Sequence, residues 1–533
     1  MNLLTESALT TEFQGRASAL SLPGVLAALV RDEVDSFPAL RAHQVPAWHM
    51  FLAQLGAIAM HRAGLTVPPT DEAEWQRIIR ALTAADFPDD EPWRLVVDDH
   101  SKPAFLQPPV PAGDTLGRVV PTPDALDMVI TSKNHDLKGE LAAIADVDDW
   151  VFALVSLQTC EGYGGSGNNG IARMNGGSSS RVCLGLVPMA EPRPDHLEIR
   201  PGLRQRRDLE QLAARRAEWL EPLSSLYPAA NGAALLWTLP WPDGASLPVT
   251  SLDPLFIEVC RRVRLTDASG RIEARAGTSD GTRVAGKEFK GALGDPWAPV
   301  NRAEAKSLTL GEDGDFDYGK ITELLSGDWQ LPLLATLGPG ETARARNWAL
   351  IAQAFARGNS KTGGFKERII PVTGKSASAM GQRRPDLHTL AKFQINEIDD
   401  FAKVLRNAIA LAAVGGDRDA VDEGAYASAR PYRKALRGEA DRLFFPALWA
   451  RFEAEEKGVD AALAVRKAFL RDLDRAAVRL LDDALADLPC ASLQRPRAEA
   501  RARARYYGGR KRVFGDVDFS TDSPTEAAAH ADA

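Results

Sequence analysis

The pattern of apolar residues changes at GQRRPDLH (381–388), and this change constrains the fold of the 533-residue chain more than any other feature. From there to about Tyr507, apolar residues recur every three or four positions, the period of a helix with one buried face. The first such stripe comprises Leu387, Leu390, Phe393, Ile398, Phe401, Leu405 and Ile409. Two similar segments, 438–458 and 460–489, end in Gly and Pro, and 496–507 is the last element. Four helices with short connections predict an antiparallel four-helix bundle.

Before residue 381, the spacing of apolar residues follows no single period. Gly-, Pro- and Asn-bounded apolar runs predict strands at RVCLGLVP (181–188), ALLWTLPW (234–241) and SLTLG (307–311). Helical spacing occurs between them, at 45–64, 148–159 and 342–358. This irregular mixture predicts an α+β body without regular βαβ alternation.

We therefore expect an α+β protein with three regions. Residues 1–380 form a large, irregular, mixed domain, and residues 381–515 form the four-helix bundle. The tail 516–533 has too few apolar residues to fold and is expected to be disordered.

Composition indicates a cytoplasmic protein. The four cysteines are far apart and form no C-x-x-C pair, which argues against a zinc site and a disulfide framework and suits a reducing compartment. The N-terminus lacks a signal-peptide pattern, and no run of eighteen apolar residues predicts a membrane span. KNHD (133–136) contains a single histidine without a second ligand at metal spacing, so we predict no metal site and no other cofactor.

The net charge of −8 argues against broad, nonspecific binding of nucleic acid. Basic runs nevertheless occur at 204–208, 344–348 and 501–512, the last with six basic residues and no acidic one. Each run taken alone is typical of a solvated helix face.

Residues 162–170, GYGGSGNNG, contain the pattern G-x-G-x-x-G of a dinucleotide-binding turn. That turn needs a strand before it and a helix after it, whereas here a helical pattern precedes Gly162 and NNGIARMNGGSSS cannot begin a helix. RGNSKTGG (357–364) likewise lacks the spacing of a phosphate-binding P-loop. The sequence excludes both nucleotide motifs.

The glycines leave three interpretations open. Bare backbone can approach phosphate oxygens or a narrow nucleic-acid groove, because glycine has no Cβ and adopts positive φ. The alternatives are a surface turn without a ligand and an enzyme that binds a phosphorylated small molecule.

Several segments, in order, resemble the CasA family, the large subunits of the type I-E CRISPR Cascade complex. MNLL opens the chain, and KPAFLQ (102–107) is similar to the family's P-F-x-Q segment. The glycine stretch, with the helix before it and the strand after it, is similar to the family's G-[FY]-G-G region. ALLWTLPW, DPLFIEVCRRVRL (253–265) and GDPWAPV (294–300) resemble three further landmarks.

The resemblance implies a protein that performs no covalent chemistry. Such a subunit reads the protospacer-adjacent motif in double-stranded DNA, starts strand separation and R-loop formation, and helps to recruit a helicase-nuclease. Its partners would be the CRISPR guide RNA and the backbone, small and handle-binding subunits of Cascade. The architecture implied is the α+β fold with a helical bundle already predicted.

The resemblance also implies particular site residues. The DNA-reading glycine loop corresponds to Gly162, Tyr163, Gly164 and Gly165, and the lysine finger to Lys287 or Lys290, of which we prefer Lys287. The wedge that splits the first base pair corresponds to Asn359, Ser360, Lys361 or Thr362, although the family's glutamine is absent. The RNA-handle contact corresponds to Lys133, Asn134, His135 and Lys138, although Met128, Val129 and Ile130 replace the expected aromatic residue.

Overall fold

The computed structural model describes residues 1–127, 145–189, 199–228, 231–341, 347–358 and 361–519, with the backbone alone for Lys361, Thr362 and Gln382. The chain divides into two compact units. One unit is Met1–Phe316 with Gly327–Gly381, and the other is Asp317–Ser326 with Gln382–Ala533. The domain limits predicted at 380 and 515 remain a prediction.

Helices and strands alternate irregularly in the first unit and helices dominate the second. The strands are β1 (Leu9–Phe13), β2 (Arg16–Leu20), β3 (Arg118–Val120), β4 (Cys183–Pro188), β5 (Ala233–Leu235), β6 (Leu247–Pro248), β7 (Leu252–Ile257), β8 (Arg262–Asp267), β9 (Ile272–Gly277), β10 (Val284–Ala285), β11 (Val300–Asn301), β12 (Lys306–Ser307), β13 (Trp329–Gln330), β14 (Asn347–Gly358) and β15 (Lys361–Thr373). The helices are α1 (Leu22–Val30), α2 (Val45–Arg62), α3 (Glu72–Arg80), α4 (Pro123–Leu126), α5 (Val147–Cys160), α6 (Pro201–Ala214), α7 (Arg216–Leu220), α8 (Tyr318–Leu324), α9 (Gly374–Gln382), α10 (Arg384–Ala413), α11 (Glu423–Ser428), α12 (Arg430–Glu455), α13 (Val459–Asp487) and α14 (Arg495–Val513).

The first unit is organised around helix α2, whose residues from Pro46 to Met60 are all buried. A helix that is apolar on every side must be covered on every side, which makes α2 a central element of the core. Trp48 stacks on Phe51 and meets Phe152 of α5 edge-on at 5.1 Å. The predicted helices at 45–64 and 148–159 are confirmed as α2 and α5.

Small sheets surround these helices and confirm the α+β fold class. Within the described residues, the sheets have two or three strands each. The strand predicted at 181–188 is confirmed as β4. Of the run 234–241, the residues up to Leu235 are a strand and Leu236–Thr238 form a 3-10 helix. At 307–311 only Ser307 belongs to a strand.

The helix predicted over 342–358 is wrong. Residues 342–346 lie outside the described residues, and Asn347–Gly358 is the strand β14. It is the central strand of the antiparallel sheet β15-β14-β4. Residues Trp348 to Ala356 are all buried, so the run has no polar face that alternation could reveal. A continuous apolar run of this kind is compatible with a buried helix or a buried strand.

The second unit is a bundle of long helices, as predicted. Side-chain contacts give the directions: Gln394 of α10 donates to the Phe444 carbonyl of α12, and Arg383 pairs with Glu456 just past the end of α12. Along α10 and α14, Phe401 stacks on Phe514, whereas Arg497 donates to the Gly415 carbonyl. Both pairs of helices are therefore antiparallel.

One prediction for this unit needs correction. Phe393, assigned to the buried stripe of α10, is 57% exposed, and Gln394 takes the buried position. An α-helix turns once per 3.6 residues, so the stripe passes through residue 394 rather than 393. Just beyond the predicted limit at 515, Asp516 pairs with Arg466 and Val517 is buried. The disordered tail 516–533 stays a prediction.

The basic run at 204–208 is not a solvated helix face. Arg204 and Arg207, both on α6, are each only 4% exposed. Arg207 pairs with Glu341 and donates to the carbonyls of Leu186 and Leu334. These cations stabilise the interior of the first unit. Among the described residues, no helix combines the length and apolarity needed to cross a membrane.

Candidate nucleic-acid interface

The glycine loop, residues 162–170, follows the C-terminus of α5 directly. Its backbone closes on itself, because the Gly164 amide donates to the Asn168 carbonyl and the Asn168 amide to the Gly165 carbonyl, each at 2.9 Å. The Tyr163 amide donates to the Gly177 carbonyl at 2.7 Å. The loop follows a helix, and residues 161–182 contain no helix. A dinucleotide-binding turn has the opposite arrangement, with a strand before it and a helix after it.

The loop glycines fall into two kinds. Gly162 is buried, and a Cβ there would lie 2.4 Å from the Ser179 carbonyl oxygen, so packing accounts for this glycine. Gly164 is exposed, and Gly165, at φ +114°, has open space where a Cβ would be. Tyr163 between them is 46% exposed. Of the four predicted loop residues, Tyr163, Gly164 and Gly165 therefore present a surface to a partner.

The buried side chains of Arg261 and Glu161 anchor the glycine loop. Arg261 donates to the Gly162 carbonyl at 2.8 Å and to the Asn169 carbonyl, and it pairs with Glu161 at 3.2 Å. Glu161 also pairs with Arg357 at the end of β14, at 2.9 Å. Since Glu161 is adjacent to Gly162, this second pair links the glycine loop to the β14–β15 hairpin.

The predicted lysine finger lies beside the chain that leaves the glycine loop. Lys287 begins a 3-10 turn, and Lys290 ends it with a left-handed backbone at φ +48°. Both lysines are exposed. A Cβ on the next residue, Gly291, would lie 2.6 Å from the backbone of Met174, which shows how closely this turn approaches the segment after the loop.

The predicted wedge stands on a hairpin rather than after a helix. Strand β14 ends at Gly358, β15 begins at Lys361, and these two residues pair in register. Asn359 and Ser360 lie outside the described residues. The backbone of Lys361 and Thr362 belongs to β15.

The predicted RNA-handle residues Lys133, Asn134, His135 and Lys138 lie outside the described residues, as do Met128, Val129 and Ile130. They follow helix α4 and Asp127, whose carboxylate is bonded by His43 and Gln44 at 2.8 and 2.7 Å.

A polar cleft of about 340 Å³ adjoins the loop, and the sequence analysis did not identify it. Its walls include Gly164 and three arginines, Arg118, Arg261 and Arg357, with the carboxylates of Glu161 and Asp127. Arg118 belongs to β3, Arg261 directly precedes β8, and Arg357 belongs to β14. No local motif unites them, so only the fold brings them together.

The cysteines of this unit offer no nucleophile. Burial raises the pKa of Cys160 to about 11 and those of Cys183 and Cys260 to about 12. Their thiols are therefore neutral near pH 7.

Comparison with known proteins gives one clear result. No protein-family model matches the chain, and no curated protein sequence does. Solved structures match it over almost its whole length. Cse1 of Acidimicrobium ferrooxidans aligns with 96% of this chain and 98% of its own, at a TM-score of 0.61 and 16% identity. CasA of Thermus thermophilus aligns with 97% of this chain and 100% of its own, at a TM-score of 0.61 and 14% identity.

The chain has the Cse1/CasA fold. A chain of a CRISPR RNA-guided surveillance complex is also similar, with a TM-score of 0.55, 13% identity, and coverage of 95% of this chain and 99% of that one. The Cse1/CasA fold spans both compact units, so it covers the mixed unit and the bundle alike.

Proposed function

We propose that this chain is the large subunit of a type I-E Cascade, an RNA-guided surveillance complex of antiviral defence. In this role it recognises the protospacer-adjacent motif in double-stranded DNA, initiates unwinding and R-loop formation, and helps to recruit the helicase-nuclease. It works with a guide RNA and with the backbone, small and handle-binding subunits, and it contributes no catalytic residue of its own.

One observation carries the proposal: the fold shared with Cse1 and CasA proteins over nearly the full length. The accessible pair Gly164 and Gly165, which the sequence resemblance assigns to the family's DNA-reading loop, supports it. Gly164 and Gly165 offer backbone without side chains. A minor groove is about 6 Å wide, and the amino group of guanine projects into it, so a bare backbone is the surface that fits there.

The cleft beside Gly164 supports the same role. Its three arginines exceed its two carboxylates by one. Arg261 and Arg357 are paired with Glu161, so Arg118 is the candidate for a phosphate, the group that the planar, forked donors of arginine bind best. Arg118 is exposed and therefore accessible to a DNA backbone. In this proposal phosphate contacts in the cleft position the duplex, and the glycine loop reads its groove.

The test is Gly164→Leu in the assembled complex. Gly164 does not require positive φ. A Cβ there would lie 3.2 Å from Nη2 of Arg261, which must give by a few tenths of an ångström, so circular dichroism and assembly of the subunits check that the variant keeps the fold of the loop. The leucine side chain would block the groove. We expect target-duplex affinity to fall at least tenfold, about 1.4 kcal/mol, with assembly of the subunits unchanged.

Gly327→Leu is the matched control, because Gly327 is also exposed, has open space around its Cβ position and lies outside the glycine loop. It should bind duplex as the parent does. Parent-like affinity of Gly164→Leu would refute the groove-reading role of the loop.

A further inference from the structure

The chain is attached to strand β14 both before and after the glycine loop. Before the loop, Glu161 pairs with Arg357 at 2.9 Å. After it, the Phe355 amide donates to Ser180 Oγ at 2.7 Å, and the Ser180 amide donates to the Phe355 carbonyl at 3.3 Å. The segment that carries the loop therefore contacts the β14–β15 hairpin at positions 355 and 357.

The contact at position 357 is the end of a continuous series of charged contacts. Glu161 accepts from Arg357 at Oε1, 2.9 Å away, and its Oε2 lies 3.2 Å from Nη2 of Arg261. Arg261 in turn donates to the carbonyls of Gly162 and Asn169. The three charged side chains are only 7–10% exposed, so salt and water screen these ion pairs little.

A β-bulge interrupts the pairing of β14 with β15 at the same place. Between the pairs Ala356↔Gly364 and Arg357↔Thr362, strand β15 has one extra residue. A bulge bends its strand and changes the direction of the residues beyond it. Arg357 belongs to the first pair beyond the bulge, so the partner of its side chain helps to set the direction of the hairpin tip. The tip comprises residues 357–358 and 361–362.

We infer that Glu161 and Arg357 are positioning residues that couple the glycine loop to the hairpin tip. The inference rests on the proposed function, in which the loop reads the duplex and Lys361 and Thr362 of the tip are among the candidate wedge residues. Because ion pairs join the loop to the tip, a duplex that orders the loop also orders the tip. Reading of the motif is thereby linked to strand separation.

The test is Arg357→Met in the assembled complex. The change removes the cation but leaves Glu161 its pair with Arg261, and the amide of residue 357 keeps its bond to the Leu310 carbonyl at 3.4 Å. We expect unchanged affinity for a short duplex that carries the motif. The rate of R-loop formation on fully paired DNA should fall about tenfold, the size of effect found for residues that couple two sites. On a target mismatched at the first pairs beside the motif, the rate should equal that of the parent.

Lys366→Met is the matched control. Lys366 lies in the regularly paired part of the same hairpin and pairs with Asp315 at 3.6 Å, so its loss also removes one cation and one ion pair. It should behave as the parent does on both targets.

Two further variants separate coupling from a local role of Arg357. Arg357→Lys keeps the charge and should retain most of the parental rate on paired DNA. Glu161→Gln should reproduce the defect of Arg357→Met, and the two changes together should be no worse than either alone, because they remove the same contact.

Parental opening of paired DNA by Arg357→Met would overturn the inference. Equal loss on both targets would also overturn it, as would weaker binding of every duplex with a salt dependence lower by about one unit, because Arg357 would then contact the DNA backbone directly. If Arg357→Met does not fold, as judged by circular dichroism, Glu161→Gln decides: a defect confined to paired DNA supports the inference and parental opening overturns it.

The parent complex separates this inference from the proposed function. A parent without preference for duplexes that carry the motif would refute the proposed function, and the inference with it. A parent that opens the motif-bearing target, together with any of the overturning outcomes above, would refute the coupling alone.

Discussion

At the scale of single residues, the glycines of the loop show how one residue type serves two purposes. Gly162 lacks a side chain because the Ser179 backbone occupies that space, whereas Gly164 lacks one without any such crowding from backbone. The first is explained by folding alone. In the proposed function a ligand approaches Gly164, which is therefore the position that a functional test must change.

Two variants test whether Lys287 or Lys290 is the proposed lysine finger. Each removes the positive charge and replaces the lysine with a residue that its backbone conformation tolerates. Lys287→Ala should weaken duplex binding, by about 1–3 kcal/mol if the lysine contacts a base edge. If it contacts only phosphate, binding to all sequences should weaken alike and the salt dependence should fall by about one unit. The measurement is affinity for matched and mismatched target motifs across a salt series.

Lys290→Asn is the comparison variant, because asparagine tolerates the left-handed backbone that Lys290 adopts. We expect it to bind as the parent does. Unchanged binding by Lys287→Ala together with weakened binding by Lys290→Asn would assign the finger to Lys290.

Glu258 predicts a pH dependence of stability. It is 3% exposed, and both its oxygens accept from the Ala172 amide, at 2.9 and 3.1 Å. Burial raises the pKa of Glu258 from 4.5 to about 7, although the Ala172 bond and the nearby Arg173 lower it. The folded state therefore binds more protons than the unfolded state between these values, so this residue makes the protein less stable as pH rises from about 4.5 to 7.

Glu258→Gln should therefore stabilise the protein at pH 8 and much less at pH 5. The interval from 4.5 to about 7 corresponds to roughly 3 kcal/mol at 1.36 kcal/mol per pKa unit, and the glutamine oxygen can still accept from Ala172. Urea titrations of parent and variant at both pH values measure the difference. Exposed Glu288→Gln is the control, and an equal gain at pH 5 and pH 8 would contradict the assignment.

At the scale of elements, the strand β14 precedes the candidate wedge residues, where the sequence predicted a helix. The two strands of the β14–β15 hairpin are paired from Asn347↔Thr373 to Gly358↔Lys361, and Arg357 ties its end to Glu161. Of the candidate wedge residues, Lys361 and Thr362 belong to β15. In the proposed function the wedge would therefore act from a paired strand.

Replacing Asn359, Ser360, Lys361 and Thr362 together with alanine should impair R-loop formation on fully paired DNA. Opening a duplex costs on the order of 1–2 kcal/mol per base-pair step, and the wedge would offset that cost at the first pair. On a target whose first pairs beside the motif are mismatched, the variant should recover. R-loop yield on the two targets, read by strand-specific footprinting, measures this.

Lys366→Ala, further along β15, is the control for lost positive charge and should behave as the parent does on both targets. Equal defects of the quadruple variant on paired and mismatched targets would mean that the segment contributes contacts but does not open the duplex.

At the scale of the whole molecule, the proposed function predicts that the chain works in an assembly. Expressed with its neighbouring genes, it should purify with a guide RNA and several smaller proteins. Sequencing of the bound RNA and mass spectrometry of the partners measure this. A lone or homo-oligomeric protein without RNA would instead favour an enzyme that binds a phosphorylated small molecule.

The sequence alone was sufficient to predict an element wherever one face is buried, because apolar residues then recur with the period of that element. Helix α10 has one buried face, so its stripe predicted both a helix and its place in a bundle, with Phe393 the one misplaced residue. The residues around Gly162 were enough to exclude a dinucleotide turn, because that turn depends on the local order of strand, glycines and helix.

The tertiary structure decided the features that have no local signal. Trp348 to Ala356 are buried on all sides, so neither helical nor strand periodicity marks them, and pairing with β4 and β15 makes them a strand. Arg207 belongs to the core, although the basic run 204–208 predicted a solvated helix face, whereas Arg118 lies on the surface. Whether a charge is buried and paired, or exposed and available to a partner, depends on residues distant in the chain, and only the folded structure brings those residues into contact.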